Sequence, residues 1–482
     1  MRNNVLAGTY TVNQLTVTEQ LTNVLQPTQQ TQDPTREHRQ LTRRLNGANS
    51  YENTVWPVNP IKSQSVNDTL KESSTINPGT EKGNTEGNIK LEDVARNPAL
   101  MSDFLTQLTN DEIALLLFGS SGRSSIDGGP RDIIEGGITA TTNEILKYGI
   151  PRLQTSDGPA GIRNSTYLAT TFPCATLQAC TWNSEIVQAI GAAMAREAKE
   201  IKVLTQYLGL SLQNDGSPIL LSPGVNIHRD PRCGRNFEYY SEDPLVAGVM
   251  ASAHIDGVQS EGVAATIKHF AVNNSETNRK NSDSMVSERA LREIYLKPFE
   301  IAIKTSKPLF VMASYNLING EWASSNKDLL VTVLRKEWQF RGAVMTDWGT
   351  TPTIIPEILA GCSLKMPGID SGSYNALKES INNGTISRTQ IENLARDLMY
   401  VVLNTYFFED INDKAVIQKY NPVSIKASSD IIASVDYNFY YYNEPVKLQI
   451  KNTSGKLYEI CVADSRGTII PIEDHGNGLY VF

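Results

Sequence analysis

The chain has 482 residues, 40% apolar and 20% charged, with a net charge of −8. That composition suits an ordinary globular protein with room for one large barrel or for two to three domains. The negative balance argues against nucleic acid, whose phosphates favour a basic surface, and no run approaches the roughly 20 apolar residues that span a membrane.

Residues 1–90 are rich in Thr, Gln and Asn. Gln26–Arg44 and Lys62–Asn88 carry too few apolar side chains to offset chain entropy, so a polar, flexible extension is expected. The first twenty residues lack the compact apolar core of a secretory signal. The cysteines (Cys174, Cys180, Cys233, Cys362 and Cys461) are sparse, odd in number and without a CxxC pair. A reduced, cytoplasmic protein follows as the expectation. The few histidines show no HExxH spacing, and neither a metal nor a cofactor is expected.

From 91 to 409 short apolar runs alternate with segments of helical period. Ser184–Ile201 reads as a helix with Ile186, Ile190 and Met194 on one face and Ser184 as its cap. Ser217–Ile227, Val263–Phe270, Pro308–Tyr315 and Gly342–Trp348 read as strands covered on both faces. Ser287–Ile303 and Asn326–Trp338 read as further helices. This alternation predicts an α/β fold of parallel βαβ units, and the length suits a (β/α)₈ TIM-type barrel. Residues 410–482 read as a small β-rich tail, with period-two alternation over Lys447–Ile472 and turns at SGK and SRG.

The strand candidates end in chemistry-bearing residues, at the end where barrel enzymes assemble their sites. Asp157 follows LQTS, Lys268 and His269 follow VAATI, Tyr315 and Asn316 follow VMAS, and Asp347 and Trp348 follow VMT. A carboxylate, an ammonium, an imidazole and a phenol at four strand ends could surround one polyhydroxylated molecule.

Six motifs occur in order: SDGPAGIR (Ser156–Arg163), NIHRDPRCGRNFEYYSEDP (Asn226–Pro244), IKHFAVNNSETNR (Ile267–Arg279), VSERALREIYLKPFE (Val286–Glu300), VMASYNLING (Val311–Gly320) and RGAVMTDWG (Arg341–Gly349). Together they resemble the barrel domain of glycoside hydrolase family 3, over about residues 95–405. CATLQACTWN and NNSETNR look most like the subgroup in which a sandwich domain precedes the barrel. The resemblance implies exo-acting, retaining hydrolysis of terminal β-linked sugars, β-glucosides foremost and β-xylosides next. That chemistry needs a nucleophilic carboxylate and a second carboxyl group about 5 to 5.5 Å away.

By the same resemblance Asp347 is the nucleophile. Asp157, Arg235, Lys268 and His269 would hold sugar hydroxyls, and Glu238 would orient Arg235 from behind. Met312, Tyr315 and Trp348 would wall the site, with core packing an equal reading for Met312 and packing alone the competitor for Trp348. Loop capping competes for Asp347, a turn for Asp157, and salt-bridge structure for the basic residues.

Three departures set the alternatives. Neither flank reads as the sandwich domain that normally supplies the acid/base glutamate, and the loop after KHF does not match relatives that use a histidine. Glu276 and Glu135 are the local carboxyl candidates. Ser363 stands in AGCSLKMPG where the family has an acidic residue. The leading reading is a β-glycosidase whose proton donor comes from a partner chain, a homo-oligomer, a swapped segment or a local carboxyl. The second is a catalytically weak sugar-binding remnant, and the third is a structural-partner role for the Thr/Gln-rich arm.

Overall fold

The computed structural model describes residues 24–25, 89–120, 138–142, 144–163, 169–207, 216–368 and 371–408, with short strands at 40–43, 49–52, 431–435, 447–452, 462–463, 469–470, 473–474 and 479–481. Apart from a hairpin of Gln40–Arg43 with Asn49–Glu52, the stretches expected to be flexible lie outside the described residues, as does Glu135.

Seven strands form one sheet in chain order: β1 (Gly119–Ser120), β2 (Ile138–Thr142), β3 (Gln154–Asp157), β4 (Ile219–Leu221), β5 (Ala264–Phe270), β6 (Phe310–Ala313) and β7 (Ala343–Thr346). From β3 to β7 every pairing is parallel. The extended segment 364–366 adds an eighth stave, because Leu364 bridges Met345 while Lys365 bridges Phe118 beside β1. Gly119 N donates to Lys365 O at 2.8 Å, Lys365 N to Leu117 O at 2.9 Å and Thr346 N to Leu364 O at 2.9 Å. The sheet therefore closes on itself, as in a (β/α)₈-type barrel.

One stave departs from the all-parallel expectation: β2 runs antiparallel to both neighbours. A parallel return needs a crossover of a dozen or more residues. Between Thr142 and Gln154 the described chain has a single 3₁₀ turn, Leu146–Tyr148, so β2 and β3 can pair only as a hairpin.

Period-two alternation explains the continuous apolar runs. Ile219, Leu221, Ala264, Phe310, Met312, Ala343 and Met345 fall in one buried cluster, whereas Leu220, Ala265, Ile267, Val311, Ala313 and Val344 fall in another. Alternate side chains serve opposite faces, and both faces are covered.

The helices include α1 (Ser184–Tyr207), α2 (Pro244–Gln259), α3 (Lys297–Ser306), α4 (Ser371–Asn382) and α5 (Arg388–Leu403). The cap of α1 is Asn183 rather than Ser184, for Asn183 Oδ1 accepts from Glu185 N at 2.9 Å and Ile186 N at 3.3 Å. Its buried stripe is Val187, Gly191, Met194, Ala195 and Ala198, and Ile186 is exposed. The expected helix over Ser287–Ile303 contains a widened π-type turn at Leu291–Tyr295 before α3, and Asp328–Glu337 is a π-type helix within Asn326–Trp338. Apolar spacing finds such helices without distinguishing their hydrogen-bond step.

Where α1 and α2 cross, backbone meets backbone. A methyl group at Gly257 would sit 2.0 Å from the Gln188 carbonyl oxygen, and one at Gly191 would sit 2.4 Å from that of His254. Gly257→Ala must push the helices apart, and we expect it to lower stability by about 1–3 kcal/mol. A urea midpoint equal to that of the parent would contradict this close packing.

In the tail, Ile431–Val435, Lys447–Asn452, Leu479–Val481 and Glu473–Asp474 form an antiparallel sheet in that order, and Val462–Ala463 pairs antiparallel with Ile469–Ile470; SRG itself lies outside the described residues. The SGK turn lies outside the described residues. Among the described residues no helix is long and apolar enough to cross a membrane.

Candidate active site

The alternation that packs the barrel also delivers the site. Asp157 closes β3 two residues beyond buried Thr155, Lys268 is in phase with Ala264 and Thr266, and Asp347 is in phase with Ala343 and Met345. All three therefore rise from the inner face at the strand C-terminal ends. His269 would face outward in a regular strand. A register shift in β5 opposite β6, between Lys268 and Phe270, re-aims it. Its Nε2 lies 3.8 Å from Asp347 Oδ2.

Asp347 is 7% exposed. Its Oδ1 accepts from Trp348 N at 2.7 Å, while buried Oδ2 has no hydrogen-bond partner among the described residues. Burial raises its pKa above the usual carboxylate value, against the opposing pull of the Trp348 N–H, Arg235, Lys268 and Tyr315. One oxygen is anchored and the other faces the site.

Lys268, 2% exposed, donates to Asp157 Oδ1 at 2.9 Å, and Arg163 approaches Oδ2 at 3.3 Å. Burial alone would raise the Asp157 pKa, but the Lys268 charge and hydrogen bond and the Arg163 charge outweigh it and hold the carboxyl below its usual range. Arg235 grips Glu238 through two donors, with Nη2 to Oε2 at 2.9 Å and Nε to Oε1 closer still. Burial works against the Arg235 charge, yet Glu238 secures it and the net shift is upward. That charge also acts on Asp347, His269 and Tyr315.

His269 is kept neutral, first by burial and then by the cations Arg235, Lys268 and Arg279. Asn273 Nδ2 donates to the Tyr239 hydroxyl, and that hydroxyl meets His269 Nδ1, each at 3.2 Å. A Tyr239 hydroxyl that donates to Nδ1 leaves the ring proton on Nε2, facing Asp347 and the site. Asn226 fixes the His269 backbone from both sides at 2.8 Å.

Tyr315 donates to the Trp348 carbonyl at 2.8 Å. Arg279 and Lys280 lie 4.7 Å and 5.2 Å from its ring centre, and Lys280 Nζ reaches Gly349 O at 2.8 Å. Trp348 is half-buried against the inner cluster. Met312 is buried in the barrel interior, in register with Lys268 and Met345, a core position. Glu276 pairs with Arg279 at 3.1 Å. Ser363 lies away from these residues, at the start of the eighth stave. Its hydroxyl is 3.4 Å from Asp397 on α5, which pairs with Arg335 at 2.8 Å and is pushed up to about 6 by burial.

The structure thus brings together the groups expected at the strand ends and adds Arg163, Tyr239, Asn273, Arg279 and Lys280, which sequence reasoning did not single out. Arg163 and Arg279 end two of the quoted motifs, and Tyr239 lies inside a third. Six of the eight large apolar side chains exposed by the described residues are Leu177, Trp182, Ile186, Phe237, Leu245 and Val249. All sit on the loops and the first two helical turns after β3 and β4, the segments that also carry Arg235.

Residues 131–401 match the N-terminal domain of glycosyl hydrolase family 3. The chain is 42% identical over 306 residues to beta-glucosidase A of Butyrivibrio fibrisolvens, covering 63% of this chain and 34% of that one. It is 39% identical over 319 residues to beta-glucosidase B of Emericella nidulans, covering 65% and 34%. Beta-glucosidase 3B from Thermotoga neapolitana, solved in complex with alpha-D-glucose, superposes with a TM-score of 0.58 at 40% identity over 64% of this chain and 43% of that one. A beta-glucosidase from Paenibacillus barengoltzii superposes with a TM-score of 0.66 at 34% identity over 80% and 41%. The chain spans about a third of the length of the curated relatives it matches.

Proposed function

The chain belongs to glycosyl hydrolase family 3, and on that footing we propose that it is the barrel of an exo-acting, retaining β-glucosidase. The observation that carries the proposal is the buried, unengaged Oδ2 of Asp347 beside His269 Nε2. In this reading Oδ2 attacks the anomeric carbon of a terminal β-glucosyl unit. The glycosidic C–O bond breaks, its electron pair leaves with the aglycone oxygen, and a glycosyl ester of Asp347 remains. Water then attacks the anomeric carbon and frees the sugar and the carboxylate. Asp157, Lys268, Arg235 and His269 hold the sugar hydroxyls, joined by Arg163 and Arg279. Trp348 offers its face to the sugar C–H edge, and Glu238 holds Arg235 in place.

The leaving oxygen needs a proton. In the described site Asp157, Glu238 and Glu276 each pair with a cation, Glu276 through Oε2 alone, while its buried Oε1 has no hydrogen-bond partner among the described residues. We therefore assign the acid/base to a carboxyl from a partner chain or a second copy, seated on the apolar rim that includes Trp182 and Phe237. The same shortage of uncommitted carboxyls favours the second reading, a sugar-binding remnant. We place it in a reducing, cytoplasmic setting on the sparse, odd-numbered cysteines of the sequence and their lack of a CxxC pair.

A dinitrophenyl β-glucoside and cellobiose, tested on the purified chain alone, separate these readings. Dinitrophenolate leaves without protonation, whereas general acid help is worth about 10²–10⁴-fold for a sugar leaving group. We expect cleavage of the activated glucoside and slow or absent cleavage of cellobiose. Rapid cleavage of both would place the acid within the chain or its own oligomer. Cleavage of neither, nor of a β-xyloside, would overturn the enzyme reading in favour of the remnant.

A further inference from the structure

We propose that Glu288 and Asn319 form a socket for a leucine-bearing segment. The chain's own Val24–Leu25 fills it as a strap tied to the loops that follow β5 and β6. The backbone N–H groups of Val24 and Leu25 donate to the two oxygens of the Glu288 carboxylate, at 3.1 Å to Oε1 and 2.9 Å to Oε2. Asn319 Nδ2 donates to the Leu25 carbonyl at 2.9 Å. Consecutive main-chain groups are thus read on both sides, independently of side-chain identity. The Leu25 side chain is 5% exposed and shares an apolar cluster with Val286, Leu291 and Ile318, which supplies the selectivity.

The socket is built rather than incidental. Glu288 is 1% exposed, and its carboxylate also accepts from Arg292 Nε at 2.8 Å, whose Nη1 pairs with Glu337 at 2.6 Å. A buried carboxylate held in this way presents charge-assisted acceptors to the strap. Asn319 has a left-handed backbone, φ 52°, a conformation Asn tolerates better than most residues. Its amide also bonds Val286 from both ends, at 2.9 Å from Val286 N and 2.8 Å to Val286 O. One asparagine therefore ties three segments: the strap, the loop after β5 and the loop after β6. Those loops also carry Arg279, Lys280 and Tyr315, so the strap positions one wall of the site without touching it. This device holds whether or not the site cleaves sugars.

Hydrogen exchange on the full chain tests it. In Leu25→Asp, amides of residues 283–288 and 317–319 are expected to exchange at least about tenfold faster, as for a local opening, while β3 and β4 stay protected. Leu25→Met keeps the parent pattern. A synthetic peptide with the sequence of residues 20–30, added in excess, restores protection to Leu25→Asp. Parent-like exchange in Leu25→Asp, an equal rise throughout the barrel, or no rescue by the peptide would each overturn the proposal. Should Leu25→Asp fail to fold, Leu25→Ala takes its place with the same criteria.

Discussion

Asp347→Asn is expected to bind glucose, cleave nothing and melt at a higher temperature than the parent. Losing a catalytic nucleophile typically costs about 10⁴-fold or more in turnover, and asparagine can still accept the Trp348 N–H bond that fixes Oδ1. The stability gain follows from the raised Asp347 pKa, caused first by burial. An acid whose folded pKa lies above its unfolded value is penalised, when ionised, by folding. That penalty is present at neutral pH and disappears as pH falls below the unfolded carboxylate range. The variant should therefore gain most at pH 7 and little at pH 3. Rates on dinitrophenyl β-glucoside, calorimetry with glucose and melts at both pH values check the three parts. Turnover within tenfold of the parent would remove Asp347 from the nucleophile role.

Lys268→Met is expected to be the most damaging change to sugar recognition. The side chain is unbranched and one atom shorter, and it loses the charge that holds Asp157 at 2.9 Å. Breaking a buried ion pair costs about 3–5 kcal/mol. Because Asp157 retains Arg163 and 20% side-chain exposure, the lower end applies to stability, and the loss of a charged hydrogen-bond donor to the sugar should lower glucose affinity by about 10²-fold. The pH dependence is diagnostic. In the parent, the depressed Asp157 pKa gives stability that is present above the usual carboxylate range and lost as pH falls through the depressed value. Without Lys268, burial is opposed mainly by Arg163, the Asp157 pKa rises and this acid-side loss shrinks. Lys268→Met with Asp157→Asn should be less destabilised than the sum of the single changes. Additive losses would mean that the pair is not energetically coupled.

The strand ends were readable because inner-facing residues of a barrel strand recur every second position. An ionisable group in phase with an apolar run must emerge at the mouth, as Asp157, Lys268 and Asp347 do. His269 obeys no such rule and owes its aim to a shift in register: its place at a strand end and the motif around it singled it out, but strand phase alone would turn it outward. Ile186 was misjudged because α1 buries Val187 and the small residues Gly191, Ala195 and Ala198. A hydrophobic-spacing argument gives such small residues too little weight. The reversed β2 was hidden by the opposite error, since an alternation of strands and helices says nothing about a connection too short to hold a helix. Arg279 and Lys280 went unnoticed because their partner, the Tyr315 ring, is remote in sequence. The Glu288–Asn319 contacts with Val24 and Leu25 were out of reach for the same reason.

The eighth stave has a bearing on how the protein is made. The barrel is sealed by hydrogen bonds between residues 117–119 and 365, close to the two ends of the domain. During synthesis β1 exposes an unpaired edge on that side until the stave at 364–366 has left the ribosome. Closure is a late, long-range event, which slows folding and lengthens exposure to aggregation. Chaperone dependence during translation, and poor recovery from denaturant relative to the yield in cells, are the consequences to expect.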